Sequence, residues 1–289
     1  MIEAGSPKSP LENEIFCKLK INNGKLAGAA RFRMGRWIQV FDCVILAGGG
    51  SSDLTRQEGV PNKALIKIGR KEIIRIVINV YQQMKEDIDR LLVVGPEKEM
   101  SFIKKDYDVE ILPESSSLIG NLLRAHSFLD SKNYLLISSS DTPLLSTAAV
   151  KDFMQLCRPF DKDFYYPIIR KEVSEKVFLG GKRTYLTLTE GAFTGGNLFL
   201  VNPYVIKSSA PLVEKFLKHR KNPLKMASLL GFKFLIGMLR KKLSVSQVEK
   251  RFSDLLKVKA KAVVSTYPEI GFDVDKPQDL ELIRRHLSI

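Results

Sequence analysis

From Phe41 onward, short runs that are almost wholly apolar alternate with longer stretches of helical spacing, and this alternation restricts the fold more than any other feature of the chain. CVILA (Cys43–Ala47), LLVVG (Leu91–Gly95), VEIL (Val109–Leu112) and YLLI (Tyr134–Ile137) read as buried strands. Between them, Lys71–Met84 places Ile73, Ile74, Val77, Ile78 and Tyr81 on one side of a helix, and Leu118–Leu129 suits a second. A strand with no polar alternation is covered on both faces. The pattern therefore predicts an α/β fold with a mostly parallel sheet and helices on both sides of it. After Asp161 the alternation breaks. FYYPII, TYLTL and NLFLV read as strands with irregular connections, and Pro211–Leu256 reads as consecutive helices. AVVST (Ala262–Thr266) is one more expected strand, and Pro277–Leu287 a closing helix.

With 289 residues, 44% of them hydrophobic, the chain can bury the core of one large domain with a subdomain. No run approaches the roughly 18 consecutive apolar residues of a membrane-spanning helix. Cys17, Cys43 and Cys157 are odd in number and share no metal-like spacing, which argues against a disulfide framework and for a cytoplasmic setting. Met1–Arg33 mixes Gly, Ser, Pro and both charge signs. It reads as a loose extension ahead of a domain spanning residues 34–289, with Met34 as an alternative start.

The formal charge of +14 is concentrated: from Tyr204 to Ala262 there are fifteen Lys or Arg against Glu214, Glu249 and Asp254. Such a stretch serves nucleic acid, an anionic membrane surface, a polyanionic small substrate, or simply a solvated helical face. It lacks the interleaved aromatics of single-strand binders and any zinc spacing, so no nucleic-acid partner is expected. The apolar span Ala227–Leu243 within it is read as packing against the domain, as a lid or subdomain. Peripheral membrane contact is the less favoured alternative.

Four segments carry polar residues suited to chemistry. VILAGGG (Val44–Gly50) puts glycines directly after a buried strand, where backbone amides can hold phosphates, and Lys63 follows in NKAL. Neither the phosphate loop ending in Gly-Lys-Ser/Thr nor the spaced dinucleotide fingerprint is present, and an ordinary tight turn explains the glycines equally well. Asp141, in SSSDTPLL, follows the YLLI strand and is placed either to hold a hard cation or to cap a helix. Asp273 and Asp275, in IGFDVDKPQDL, share a face in extended chain, with capping again the competing role. Gly195 and Gly196, in EGAFTGGNLFLVNP, point to close backbone approach to a ligand. His126, His219 and His286 fall in helical segments, and no nucleophile–base pair is visible.

In this order, LAGG, a following lysine, Asp-x-Pro-Leu after a strand, Gly-Gly-Asn, and Asp-Val-Asp-x-Pro-x-Asp-Leu resemble the molybdenum-cofactor guanylyltransferase-like (MobA-like) NTP transferases. These belong to the nucleotide-diphospho-sugar transferase superfamily, and the match runs from about Phe41 to Leu287. The resemblance implies a Rossmann-like, GT-A-like fold with a C-terminal helical insertion at about 207–258. It implies a Mg²⁺-dependent enzyme that transfers NMP from an NTP to a phosphorylated acceptor: a sugar phosphate, an alcohol phosphate or a molybdopterin-like molecule. Leu46, Ala47, Gly48, Gly49, Gly50, Ser51, Arg56 and Asn121 would then contact the nucleotide. Lys63 would meet its phosphates, and Asp141 and Asp275 would hold the metal, with Asp273 in reserve. Glu114–Asn121 would line the base pocket and Glu190–Asn197 would face the acceptor.

The chain departs from the family pattern in three places. The loop after LAGG is long and offers only Arg56, Ser140 replaces a customary glycine, and the basic helices have no counterpart in compact members. A glycosyltransferase using a nucleotide-sugar, or a non-catalytic nucleotide-binding regulator, is the alternative on the same fold. Because Met1–Arg33 promises no buried face, deleting residues 1–33 is expected to leave the melting temperature nearly unchanged in calorimetry. A drop of many degrees would show that the extension packs on the domain.

Overall fold

The computed structural model describes residues 15–21, 25–33, 36–181, 183–219 and 223–287. Three strands precede the alternating region: β1 (Ile15–Ile21), β2 (Lys25–Arg33) and β3 (Arg36–Gln39), paired antiparallel with one another as a separate sheet. Part of the expected loose extension, residues 15–21 and 25–33, therefore carries strand structure, while residues 1–14 and 22–24 lie outside the described residues. The alternation of Ile15, Cys17, Leu19 and Ile21 with Lys18 and Lys20 is a period-two signal that the mixed composition masks.

The central sheet begins with β4 (Phe41–Leu46). A small hairpin, β5 (Lys67–Ile68) and β6 (Lys71–Glu72), precedes β7 (Ile88–Gly95), β8 (Glu110–Pro113) and β9 (Leu135–Ser139). β10 (Phe164–Arg170), β11 (Leu186–Leu188), β12 (Gly191–Gly195), β13 (Leu198–Val201) and β14 (Ala260–Ser265) complete it. The strand order is β11-β12-β10-β13-β9-β4-β7-β8, with β14 also paired to β10. β9, β4, β7 and β8 run parallel, as the unbroken apolar runs require. Beyond β9 the strands that lost the alternation run antiparallel, except for the parallel pair β10–β14.

The helices in chain order are α1 (Asp53–Gln57), α2 (Ile73–Gln82), α3 (Glu97–Met100), α4 (Leu118–Leu129), α5 (Thr147–Leu156) and α6 (Lys171–Val177). The basic stretch contains α7 (Pro203–His219), α8 (Pro223–Leu230), α9 (Phe232–Leu239) and α10 (Val245–Leu256), and α11 (Pro277–His286) ends the fold. Hydroxyl caps start several of them: Ser117 accepts the Gly120 N–H at 3.0 Å, and Ser146 the Ala149 N–H at 3.1 Å. α7 begins at Pro203, earlier than the spacing predicts, and continues through Pro211. Proline is suited to a first helical turn, and burial of Ile206 and Ala210 offsets the hydrogen bond that Pro211 cannot make.

β4 shows why the sheet needs two helical layers. Phe41, Cys43, Ile45 and Ala47 point into one core with Ile74 and Ile78 of α2, Phe153 of α5 and Ile283 of α11. Val44 points the other way, toward Ala125 and Leu129 of α4 and Ile206 of α7. Burial of each large side chain of this kind contributes about 1.5–3 kcal/mol.

The topology also locates a cleft. From β4 the chain moves outward to β7 and β8, then returns to the other side of β4 as β9. The two connections leave in opposite directions and open a crevice beyond the carboxyl ends of β4 and β9, where ligands gather in such sheets. At the opposite end of β4, buried Asp42 accepts Arg90 through both oxygens (Nε 3.0 Å, Nη2 2.7 Å) and the Ser131 hydroxyl. Asp42→Asn is expected to lower stability by about 1–3 kcal/mol in urea denaturation. Because the change lies at the far end of the sheet, nucleotide affinity should not move.

Candidate active site

Register places the first two parts of the site side by side: Leu46 at the end of β4 pairs with Ser139 at the end of β9. The glycine loop and Asp141 therefore emerge as neighbours, and the Ser140 N–H donates to the Leu46 carbonyl at 3.1 Å. The loop is held from both sides. Asn62 donates from Nδ2 to the carbonyls of Ala47 (2.9 Å) and Gly49 (3.1 Å), while its Oδ1 accepts the Ala64 N–H at 2.8 Å. That amide thus ties the loop to the short turn carrying Lys63. On the other side, Glu114 Oε2 accepts the Gly49 N–H at 2.9 Å. A Cβ on Gly48 would collide with the Asn121 amide and lie 2.8 Å from the Glu114 carboxylate, and Gly49 has φ +147°. Both positions therefore call for glycine.

Asn121 is buried and its Oδ1 accepts the Ser115 N–H at 2.5 Å, while Glu114 and Asn121 themselves lie against Gly48 and Gly49 of the loop. Gly50 and Ser51 are exposed. Arg56 is exposed too; it pairs with Asp53 of its own helix and donates to the Ser51 hydroxyl at 3.4 Å.

Lys63 is the centre of the arrangement. Its Nζ lies 2.7 Å from Asp141 Oδ2 and 2.7 Å from Asp275 Oδ1. The Val274 N–H donates to the Asp141 carbonyl at 2.9 Å, fixing the C-terminal Asp-Val-Asp segment beside β9. Carboxylate oxygens of Asp141, Asp273 and Asp275 lie within 4.8 Å of one another, a donor set suited to a hard divalent cation. The capping alternatives are decided by position: the N-cap of α5 is Ser146, and Asp279 accepts the N–H groups of Asp275 and Lys276 before α11. Asp141 and Asp275 direct their carboxylates to Lys63 instead.

The electrostatics follow from this crowding. Burial alone would lower Lys63, but the Asp141 and Asp275 carboxylates outweigh it and hold the ammonium firmly charged. Burial pushes the Asp273 carboxyl up to about 6, helped by the charges of Asp141 and Asp275 and opposed by Arg183. Asp275 is held below the ordinary carboxylate range because its hydrogen bond from Lys63 overcomes its burial.

Arg183 and Asn62 are the site residues that sequence reasoning missed. Arg183 donates to the Asp273 carbonyl at 2.7 Å, pairs with its Oδ1 at 3.2 Å, and stacks over Phe272 with 4.0 Å to the ring centroid. It thereby anchors the Asp-Val-Asp segment, yet a single arginine after Gly-Gly-Lys carries no spacing signal. Asn62, directly before Lys63, follows the turn-forming Pro61 and had only that position to mark it.

A model of the MobA-like NTP transferase domain matches residues 43–208, from β4 through the first turns of α7. The chain belongs to this family. It is a nucleotidyltransferase with a Rossmann-like mixed sheet. A hypothetical transferase from Thermus thermophilus is similar over 84% of this chain and 100% of its own, at 32% identity and a TM-score of 0.74. The 4-diphosphocytidyl-2C-methyl-D-erythritol synthase of Anaerococcus prevotii shares the fold at 13% identity and TM-score 0.55, over 87% of this chain and 99% of its own. CMP:2-keto-3-deoxy-manno-octonic acid synthetase complexed with CTP does so at 14% and 0.58, over 86% and 99%. A search of curated proteins found no match.

Gly195 and Gly196 have a different reason from the one the sequence pattern points to. A Cβ on Gly195 would strike the Tyr166 ring, and one on Gly196 would lie 2.7 Å from both Ile270 Cγ2 and Pro167 Cγ. Protein side chains account for both glycines. Gly196→Ala is therefore expected to cost about 1–3 kcal/mol by overpacking, read as a lowered melting temperature. Gly50→Ala, with nothing within 4 Å of the added Cβ, should melt like the parent.

Proposed function

We propose that this nucleotidyltransferase moves the NMP group of an NTP onto a phosphorylated small-molecule acceptor, releasing pyrophosphate, with Mg²⁺ held by Asp141 and Asp275. The observation that carries this reading is the meeting of Lys63 with both carboxylates beside the glycine loop. A lysine ammonium already sits between Asp141 and Asp275, so the pocket is one that attracts positive charge. Asp273, the third carboxylate, is tied to Arg183 and serves as the reserve ligand. When bound, the metal supplies charge neutralisation and orientation of phosphate oxygens.

The remaining work falls to the chain's own groups. Lys63 offers its ammonium to the triphosphate, and the backbone of Gly48–Gly50 lies against the nucleotide, with Asn121 and the Glu114 segment toward the base. An acceptor phosphate oxygen attacks the α-phosphorus. The bond from that phosphorus to its bridging oxygen breaks, and pyrophosphate leaves with the electron pair. The attacking oxygen is already anionic, so positioning and charge stabilisation suffice without a protein base. Glu190–Asn197 faces the acceptor in this reading.

Asp141→Asn is expected to reduce pyrophosphate release by roughly a hundredfold or more while the protein stays folded, and Asp275→Asn to behave alike. Near-normal release by purified Asp141→Asn protein would overturn the assignment. Lys63→Ala should weaken NTP binding by roughly ten- to a hundredfold in calorimetry, the scale of a lost charged hydrogen bond; unchanged affinity would remove Lys63 from phosphate binding. A thermal-shift panel of the four NTPs with Mg²⁺ identifies the base, because stabilisation grows with [L]/Kd.

A further inference from the structure

The reaction does not use one surface of the helical stretch. α9 packs on the antiparallel half of the sheet through one face, and it also lies against α8. Phe234 and Met238 lie against the cluster of Ile168, Leu188, Phe193 and Leu243, and a Cβ on Gly237 would come 2.8 Å from Leu243 Cδ2. Phe232, Leu235, Ile236 and Leu239 fall at i, i+3, i+4 and i+7, one stripe directed away from that contact. Phe232 and Leu239, at the two ends of the stripe, are 71% and 78% exposed, and Leu235 and Ile236 between them are half-buried. At roughly 100° per residue, Lys233 and Arg240 stand together along one flank of the stripe.

The charge around the stripe has one sign. Between Glu214 and Glu249 the sequence holds nine Lys or Arg and no acid. Lys233, Arg240, Lys241 and Lys242 are all exposed. Two largely exposed apolar side chains, continuous with the partly exposed Leu235 and Ile236, form an apolar surface stripe of the kind that marks an interaction site. A second copy of the chain, docked across a two-fold axis, would set these cations against their own counterparts. An anionic bilayer offers what both halves of the surface need: an acyl boundary for the stripe and headgroup phosphates for the cations. Among the described residues no helix is long and apolar enough to cross a membrane, and α9 itself has eight residues. Its contact with a bilayer is therefore in the plane of the surface.

We propose that α9 is an interfacial helix that seats the protein reversibly on an anionic membrane surface. The sequence alone favoured packing against the domain, and the Phe234–Met238 face does pack; the opposite face is the one that remains. This proposal stands independently of the transferase reading.

The full-length protein should cosediment with vesicles of phosphatidylcholine containing phosphatidylglycerol at physiological salt, and roughly tenfold less with phosphatidylcholine alone. Added salt should release it. Phe232→Ser with Leu239→Ser alters only solvent-facing side chains, so this variant should melt like the parent and lose cosedimentation. Arg240→Glu with Lys242→Glu should lose it as well, giving a second, charge-based variant. A parent protein that stays in the supernatant with anionic vesicles overturns the proposal, as does a normally melting serine variant that binds like the parent. Concentration-dependent dimerisation in light scattering, abolished by the serine variant without any vesicle binding, assigns the stripe to self-association instead.

Discussion

Lys63 joins carboxylates that lie 78 and 212 residues away in sequence, and the site rests on that pair of contacts. Its ammonium is compact and fully charged, so it can neutralise two carboxylates that would otherwise repel each other across the cleft. Each partner comes from a different segment: the turn after the glycine loop, the end of β9, and the approach to α11. The 2.7 Å distances require all three segments to arrive within a fraction of an ångström. Lys63 reports that the parallel core has assembled correctly.

The supports behind the site are mostly backbone contacts. Asn62 spans the glycine loop and the Lys63 turn, and Val274 hydrogen-bonds the Asp141 carbonyl. Arg183, nearly buried, holds the Asp273 carbonyl from beyond the sheet. This division leaves the charged side chains of Lys63, Asp141 and Asp275 facing one another while their neighbours set their positions. The same economy appears at β4, whose far end is closed by the Asp42–Arg90 pair and whose near end opens into the cleft.

The helical stretch is built on another principle. It covers the antiparallel half of the sheet through Phe234, Met238, Val245 and Val248, and its link to the Glu190 segment is direct, since the Val245 N–H donates to the Glu190 carboxylate at 3.0 Å. A structural cover needs one apolar face. α9 has two, and the second leaves Phe232 and Leu239 largely in solvent.

The parallel half of the fold was legible in the sequence because an unbroken apolar run such as CVILA is stable only between two helical layers, whatever the rest of the chain does. The loop glycines, Lys63, Asp141 and Asp275 were legible as polar or flexible residues placed at strand ends. Tertiary structure decided whether those carboxylates cap helices or converge, because a local pattern carries no information on contacts across 212 residues. It also decided what Gly195 and Gly196 accommodate, which face of α9 is covered, and that an isolated Arg183 belongs to the site. Each depends on which side chain occupies a neighbouring volume, and that is settled only when distant strands pack. The strands at 15–33 went unread for the opposite reason: a period-two signal was present, but short and set among polar residues with no helix to complete the alternation.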